Sequence, residues 1–162
     1  FLNLDGKEMQ LNAFNQKLKF ISFIFSRCPM PNFCPAVMMK NQYLANAFKE
    51  NNNIEFIIIS FDYNYDTPKV LKNAYSAIFS DYNNTQILSS YGYKDEVLKL
   101  TMEAGLGFSG IDEGDPRDIN HTLKSLLLDP EGTLIESFGG DSWLPKEVEL
   151  QIKNSLKAYG LN

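Results

Sequence analysis

Two short, almost unbroken apolar runs constrain this chain most: KFISFIF at residues 19–25 and IEFIIISF at residues 54–61. Neither alternates apolar with polar, so neither suits a strand with one wet face. Runs of this length predict central strands covered on both sides. Between them, from about Cys34, the residues Val37, Met38, Leu44, Ala45 and Phe48 recur at helical spacing, with Pro35 in the first turn. Polar residues 51–53 close that segment. The order strand, helix, strand predicts a βαβ unit.

The flanks add further elements. Residues 1–17 predict an N-terminal β-hairpin around the Asp5-Gly6 turn. Residues 62–66 form a loop, and Thr67 caps a helix with Pro68 at its first position and Leu71, Ala74, Tyr75 and Ile78 as its buried stripe. A strand at 85–89 precedes a helix over 95–104, with Val97, Leu100 and Thr101 inward and Gly105 as its stop. Residues 109–120 are a polar, acidic loop with little apolar content to hold it. A strand over 121–128, the turn Asp129-Pro130-Glu131-Gly132 and a return strand over 133–138 follow. Pro145 opens a last helix with Val148, Ile152, Leu156 and Tyr159 on one face. This is an α/β layered pattern, a central mixed β-sheet flanked by helices. No repeat or linker interrupts it, so residues 1–162 are expected to form a single domain.

Composition excludes some functions. At 162 residues and 44% hydrophobic content the chain is large enough for one substantial core. A net charge of −5 without a basic stripe argues against nucleic acid. No apolar run approaches the ~20 residues of a membrane helix. The chain begins at Phe1 rather than Met; the expectation is a soluble domain whose upstream signal or membrane anchor has been removed.

The chemistry centres on residues 23–40, FIFSRCPMPNFCPAVMMK, which hold both cysteines, Cys28 and Cys34. A strand delivers a loop, and the second thiol opens a helix, where N-terminal N–H groups favour thiolate. A structural disulfide is open to such a pair. So are redox exchange and metal binding. The only histidine, His121, lies far downstream at the entry to an apolar run. Two thiolates and an imidazole make a soft set suited to Cu(I), and Zn(II) accepts it too.

The stretches FSRCPMPNFCP, SFDYNYDTP, INHTLKSLLLDPEG and GGDSWLPKE, in this order, resemble the Sco/SenC family, thioredoxin-like proteins of cytochrome c oxidase assembly. The resemblance implies a thioredoxin-like fold and a metallochaperone rather than an enzyme. It implies copper, as Cu(I) and also Cu(II), held by Cys28, Cys34 and His121. It also implies delivery to a cytochrome c oxidase subunit or another copper protein, in an extracytoplasmic, periplasm-facing setting. Asp62 and Asp66 match the family's acidic loop and are read here as turn and helix-capping residues. One departure is plain: the family's spacing is Cys-x3-Cys, and this chain has Cys-x5-Cys.

The alternative is a thiol-disulfide reductase with Cys28 and Cys34 as its redox pair. A thioredoxin-type enzyme has Cys-x2-Cys and a proline opposite, and DINHTLKS lacks that proline. A peroxiredoxin has Thr or Ser three residues before its attacking Cys and Pro seven before, where this chain has Phe25 and Ile21.

Overall fold

The structure, a computed structural model, describes residues 1–161. Its centre is β1 (Leu18–Ile24), in which every residue is buried. The helix α1 (Cys34–Ala47) crosses to β2 (Ile54–Ser60), also buried throughout. These are the two apolar runs, and they pair in parallel from Leu18↔Ile54 to Ile24↔Ser60. A second crossover, α2 (Pro68–Phe79), leads to β3 (Thr85–Ser89), parallel to β2. Both crossovers step the same way along the sheet, which puts α1 and α2 on one face; Gln42 of α1 donates to the Ile78 carbonyl of α2.

After α3 (Lys94–Ala104) the chain makes a two-stranded ribbon, β4 (Phe108–Ser109) and β5 (Asn120–His121). It then re-enters the sheet as β6 (Lys124–Leu128), antiparallel to β1, turns into the edge strand β7 (Leu134–Gly139), and ends in α4 (Pro145–Ala158). The main sheet runs β3-β2-β1-β6-β7. Helix α4 packs on α1. On the other face α3 lies over Ile21, Leu126 and Leu128. This is the expected mixed sheet between helices.

Side-chain spacing explains the layers. Helix α1 buries Cys34, Val37, Met38, Asn41, Leu44 and Ala45, three and four residues apart, toward the sheet. The polar member of this face, Asn41, is accommodated because its amide donates to Ser22 Oγ at 2.9 Å, and Ser22 meets Ser125 Oγ at 2.9 Å. Thr67 caps α2 by accepting from Val70 N. Phe20 anchors the aromatic core against Phe56, Phe138 and Trp143, with ring centroids about 6 Å apart.

Three expectations change in detail. The N-terminal hairpin is minimal: its Asp5-Gly6 turn closes one bridge, Leu2↔Glu8, because Leu2 also bridges Ser89 at the edge of β3. The strand expected over 121–128 is two strands with different partners, since His121 pairs with Phe108 while Lys124 onward pairs with β7 and, from Ser125, with β1. Ala74 and Tyr159, expected on buried stripes, are exposed.

Candidate metal centre

The site lies at the carboxyl ends of β1 and β2, where the strands give way to loops. Beyond β1 the chain makes a turn, with Cys28 N donating to the Phe25 carbonyl. A second turn follows, with Phe33 N donating to the Met30 carbonyl at 3.1 Å. The extra loop length is folded into that turn, so the wider spacing does not separate the thiols. Cys34 then begins α1, buried, while Cys28 is half-buried.

His121 arrives from β5, on the ribbon beside the loop. The Sγ atoms of Cys28 and Cys34 and a ring nitrogen of His121 lie within 4.8 Å of one another. Ligand atoms at ~2.0–2.3 Å from one shared ion stand about 3.5–4 Å apart, so small movements would close the set on a metal. The three predicted site residues are thus brought together.

The imidazole is held in a defined way. Its Nδ1 lies 3.0 Å from the Thr122 carbonyl. A carbonyl only accepts, so Nδ1 carries the proton and Nε2 keeps its lone pair for a metal. The rings of Phe25, Phe33 and Phe61 surround it at centroid distances of 5.2, 5.5 and 5.3 Å. Phe108 stacks on Phe61 at 4.9 Å. These rings make one side of the site apolar.

The thiols differ electrically. The neighbouring Cys34 thiol, as a donor to the Cys28 sulfur, holds Cys28 well below the usual thiol range, at about 5; burial opposes it, and the Cys34 and Met30 backbone assist. Cys34 moves the opposite way, pushed up by its hydrogen bond to Cys28 and by burial. One proton is in effect shared and stays on Cys34.

Asp62 and Asp66 need a correction. Both are fully buried, and their carboxylates bind the residues before Cys28 instead of capping α2, which Thr67 does. Asp66 accepts from Ser26 N at 2.8 Å, from the Ser26 hydroxyl and from the Ser60 hydroxyl. Burial nevertheless pushes its carboxyl above the ordinary range, the Ser26 and Ser60 hydrogen bonds opposing. Asp62 takes Arg27 Nε and Nη2 on its Oδ2 at 2.9 and 2.8 Å. The two aspartates fasten Ser26 and Arg27, the residues just before Cys28, to the loop after β2. Sequence reading missed this because the partners are far apart in the chain; a polar Ser26-Arg27 pair at the mouth of a buried strand was the available signal. Met30, between the thiols, is exposed. Among the described residues no other cluster of His, Cys, Asp and Glu is placed to hold a metal ion.

The SCO1/SenC family profile matches residues 1–157. The chain belongs to the SCO1/SenC family. Among curated SCO1/SenC relatives it is 26% identical over 162 residues to "Protein SCO2, mitochondrial" of Saccharomyces cerevisiae, covering 97% of this chain and 51% of that protein. It is 26% identical over 141 residues to the "SCO1 protein homolog" of Bacillus subtilis, covering 86% and 71%. The chain therefore spans about half the length of the yeast relative. Among solved structures, a SCO1/SenC family lipoprotein of Bacillus anthracis superposes with a TM-score of 0.81 at 21% identity, over 96% of this chain and 90% of that one. Yeast Sco1 with copper bound superposes at 0.76 and 25% identity, over 98% and 86%. Peroxiredoxin Q of Xanthomonas campestris, at 0.65 and 15% identity over 94% and 88%, shares the thioredoxin-like fold. SCO1/SenC relatives thus include a mitochondrial protein and a lipoprotein, and no helix among the described residues here is long and apolar enough to cross a membrane.

Proposed function

We propose that this chain works as one domain that binds a single Cu(I) through Cys28 Sγ, Cys34 Sγ and His121 Nε2. It delivers the copper to a cytochrome c oxidase subunit or another copper protein, in an extracytoplasmic compartment facing the periplasm. The observation that carries this reading is the meeting of three soft ligand atoms within 4.8 Å. Two thiolates and a neutral imidazole suit Cu(I) and tolerate Cu(II). Three protein ligands leave a position through which an acceptor's ligand can enter. Cys28 is already a thiolate at neutral pH, so loading expels the proton held on Cys34. Membership of the family and the copper-bound yeast relative support the assignment.

A second reading has one observation in its favour. Cys28 is a half-buried thiolate with a protonated partner behind it, the arrangement of a thiol-disulfide reductase. Cys28 would attack a partner's disulfide and expel one of its sulfurs as thiolate. Cys34, giving up its proton, would resolve the mixed disulfide, leaving Cys28–Cys34 oxidised and the partner reduced by two electrons.

One set of variants separates the two. Reduced protein should bind one Cu(I), and Cys28→Ser, Cys34→Ser or His121→Ala should each weaken it by about a hundredfold or more. Metal-free protein should reduce insulin poorly, and bound Cu(I) should suppress the remainder. Copper binding unaffected by His121→Ala, together with fast insulin reduction by the metal-free protein, would make the reductase reading the better one.

A further inference from the structure

The copper reading requires His121 to stay beside the thiols, and the segment that carries it is poorly held by itself. The ribbon bearing His121 has only two residue pairs, Phe108↔His121 and Ser109↔Asn120. Ladders this short have little independent stability. Residues 110–119 project from it as a largely exposed polar loop, with Ile111 and Ile119 its buried apolar residues. Asp112 ties the loop to Asn64, to the buried Tyr63 through its hydroxyl at 3.1 Å, and to Lys94, but the Lys94 pair is exposed on both sides, and such pairs contribute little.

One contact is of a different kind. Arg27 Nη1 donates to the Gly114 carbonyl at the exposed loop tip, at 3.1 Å, from a side chain that is itself largely buried. The same guanidinium gives Nε and Nη2 to Asp62 Oδ2, and its Cζ lies 4.4 Å from the Tyr65 ring centroid. The Arg27 side chain is 17% exposed and that of Asp62 0%. Arg27 is also the residue before Cys28. One rigid fork therefore joins the thiol loop, the loop after β2 and the loop leading into His121.

We infer that Arg27 is the positioning residue that holds the His121 loop against the thiol loop, and so sets the third ligand in place. This rests on the copper reading above. Arginine suits the task because its donors point in fixed, divergent directions in one plane; a lysine ammonium is a point charge on a flexible stem. The ion pair is also hard to give up. Asp62 Oδ1 is buried without a partner, so removing the guanidinium alone would strand a buried carboxylate.

The test uses Arg27→Lys, which leaves a cation opposite Asp62 and removes the fork, and Arg27→Gln with Asp62→Asn, which removes the buried charges together. Both are made with His121 present and in a His121→Ala background. With His121 present, each should lower Cu(I) affinity about tenfold or more, as loss of ligand-orienting partners does. With His121→Ala, each should change affinity less than about twofold, because no third ligand remains to be positioned. In metal-free protein, amide exchange across residues 110–121 should quicken about tenfold, while exchange in β1 and β2 is unchanged. An equal affinity loss in both backgrounds would mean a general structural role and overturn the inference. So would unchanged exchange in the loop, or an Arg27→Lys protein that binds like the parent. If the parent protein takes up no Cu(I), the copper reading fails, and metal-free exchange alone still decides whether Arg27 pins the loop.

Discussion

Cys28 and Cys34 carry the same thiol in opposite surroundings, and their reactivity should separate with pH. The Cys28 value of about 5 lies below its unperturbed 9.0, so its thiolate is populated as pH rises through about 5 and is nearly complete at pH 7. Cys34 is shifted the other way and is buried. The sign for stability follows. A depressed folded-state value makes Cys28 contribute nothing below about 5, progressively more up to about 9, and its full share above that. Iodoacetamide at pH 6.5 should label native reduced protein once, on Cys28, with Cys34 labelled only after unfolding. Mass spectrometry of peptides checks this; equal labelling of both thiols at that pH would refute the asymmetry. The sequence left the two thiols open: greater exposure would favour Cys28 as the attacking thiol, and the helix N-terminus would lower Cys34. What decides is which sulfur donates to which, and that depends on the turn between Met30 and Phe33.

At the scale of elements, the strands and helices were legible because their signals are local. The runs at 19–25 and 54–61 are buried as their composition requires, and Pro35 and Pro68 mark the starts of α1 and α2. The break between β5 and β6 was not legible. HTLKSLLL has no turn residue, and only the choice of partner strand divides it. Asp62 and Asp66 were misread for a related reason: a carboxylate in a loop reads as a turn or capping residue until its distant partners are known. The ribbon that holds His121 offers a sharp test at Gly110. Its φ is +88°, and an added Cβ would meet the Asp118 carbonyl oxygen at 2.2 Å. Gly110→Ala should therefore cost about 1–3 kcal/mol and move the base of the loop. Thermal unfolding together with Cu(I) affinity reads both effects, and affinity should fall more than in a control change on α4. An alanine variant with parental stability and affinity would mean that the close approach does not constrain the ribbon.

For the whole molecule, the proposed copper site links metal binding to folding, since Cys28, Cys34 and His121 come together only in the folded chain. At a free Cu(I) concentration a thousand times its dissociation constant, binding should add about 4 kcal/mol of stability. That corresponds to a rise in melting temperature of about 8–16 °C for a chain of this size. Calorimetry of reduced protein with buffered Cu(I) checks it, and His121→Ala should lose much of the rise. The sheet order adds something about timing. Cys28 and Cys34 are neighbours as soon as β1 and α1 form, but His121 is fixed only when β6 has slotted between β1 and β7, with nearly the whole chain made. A half-finished molecule offers an ion two sulfurs and no imidazole. On the copper reading, secure capture waits for the last strands, so the protein is its own inspector: an unfinished copy cannot hold on to an ion.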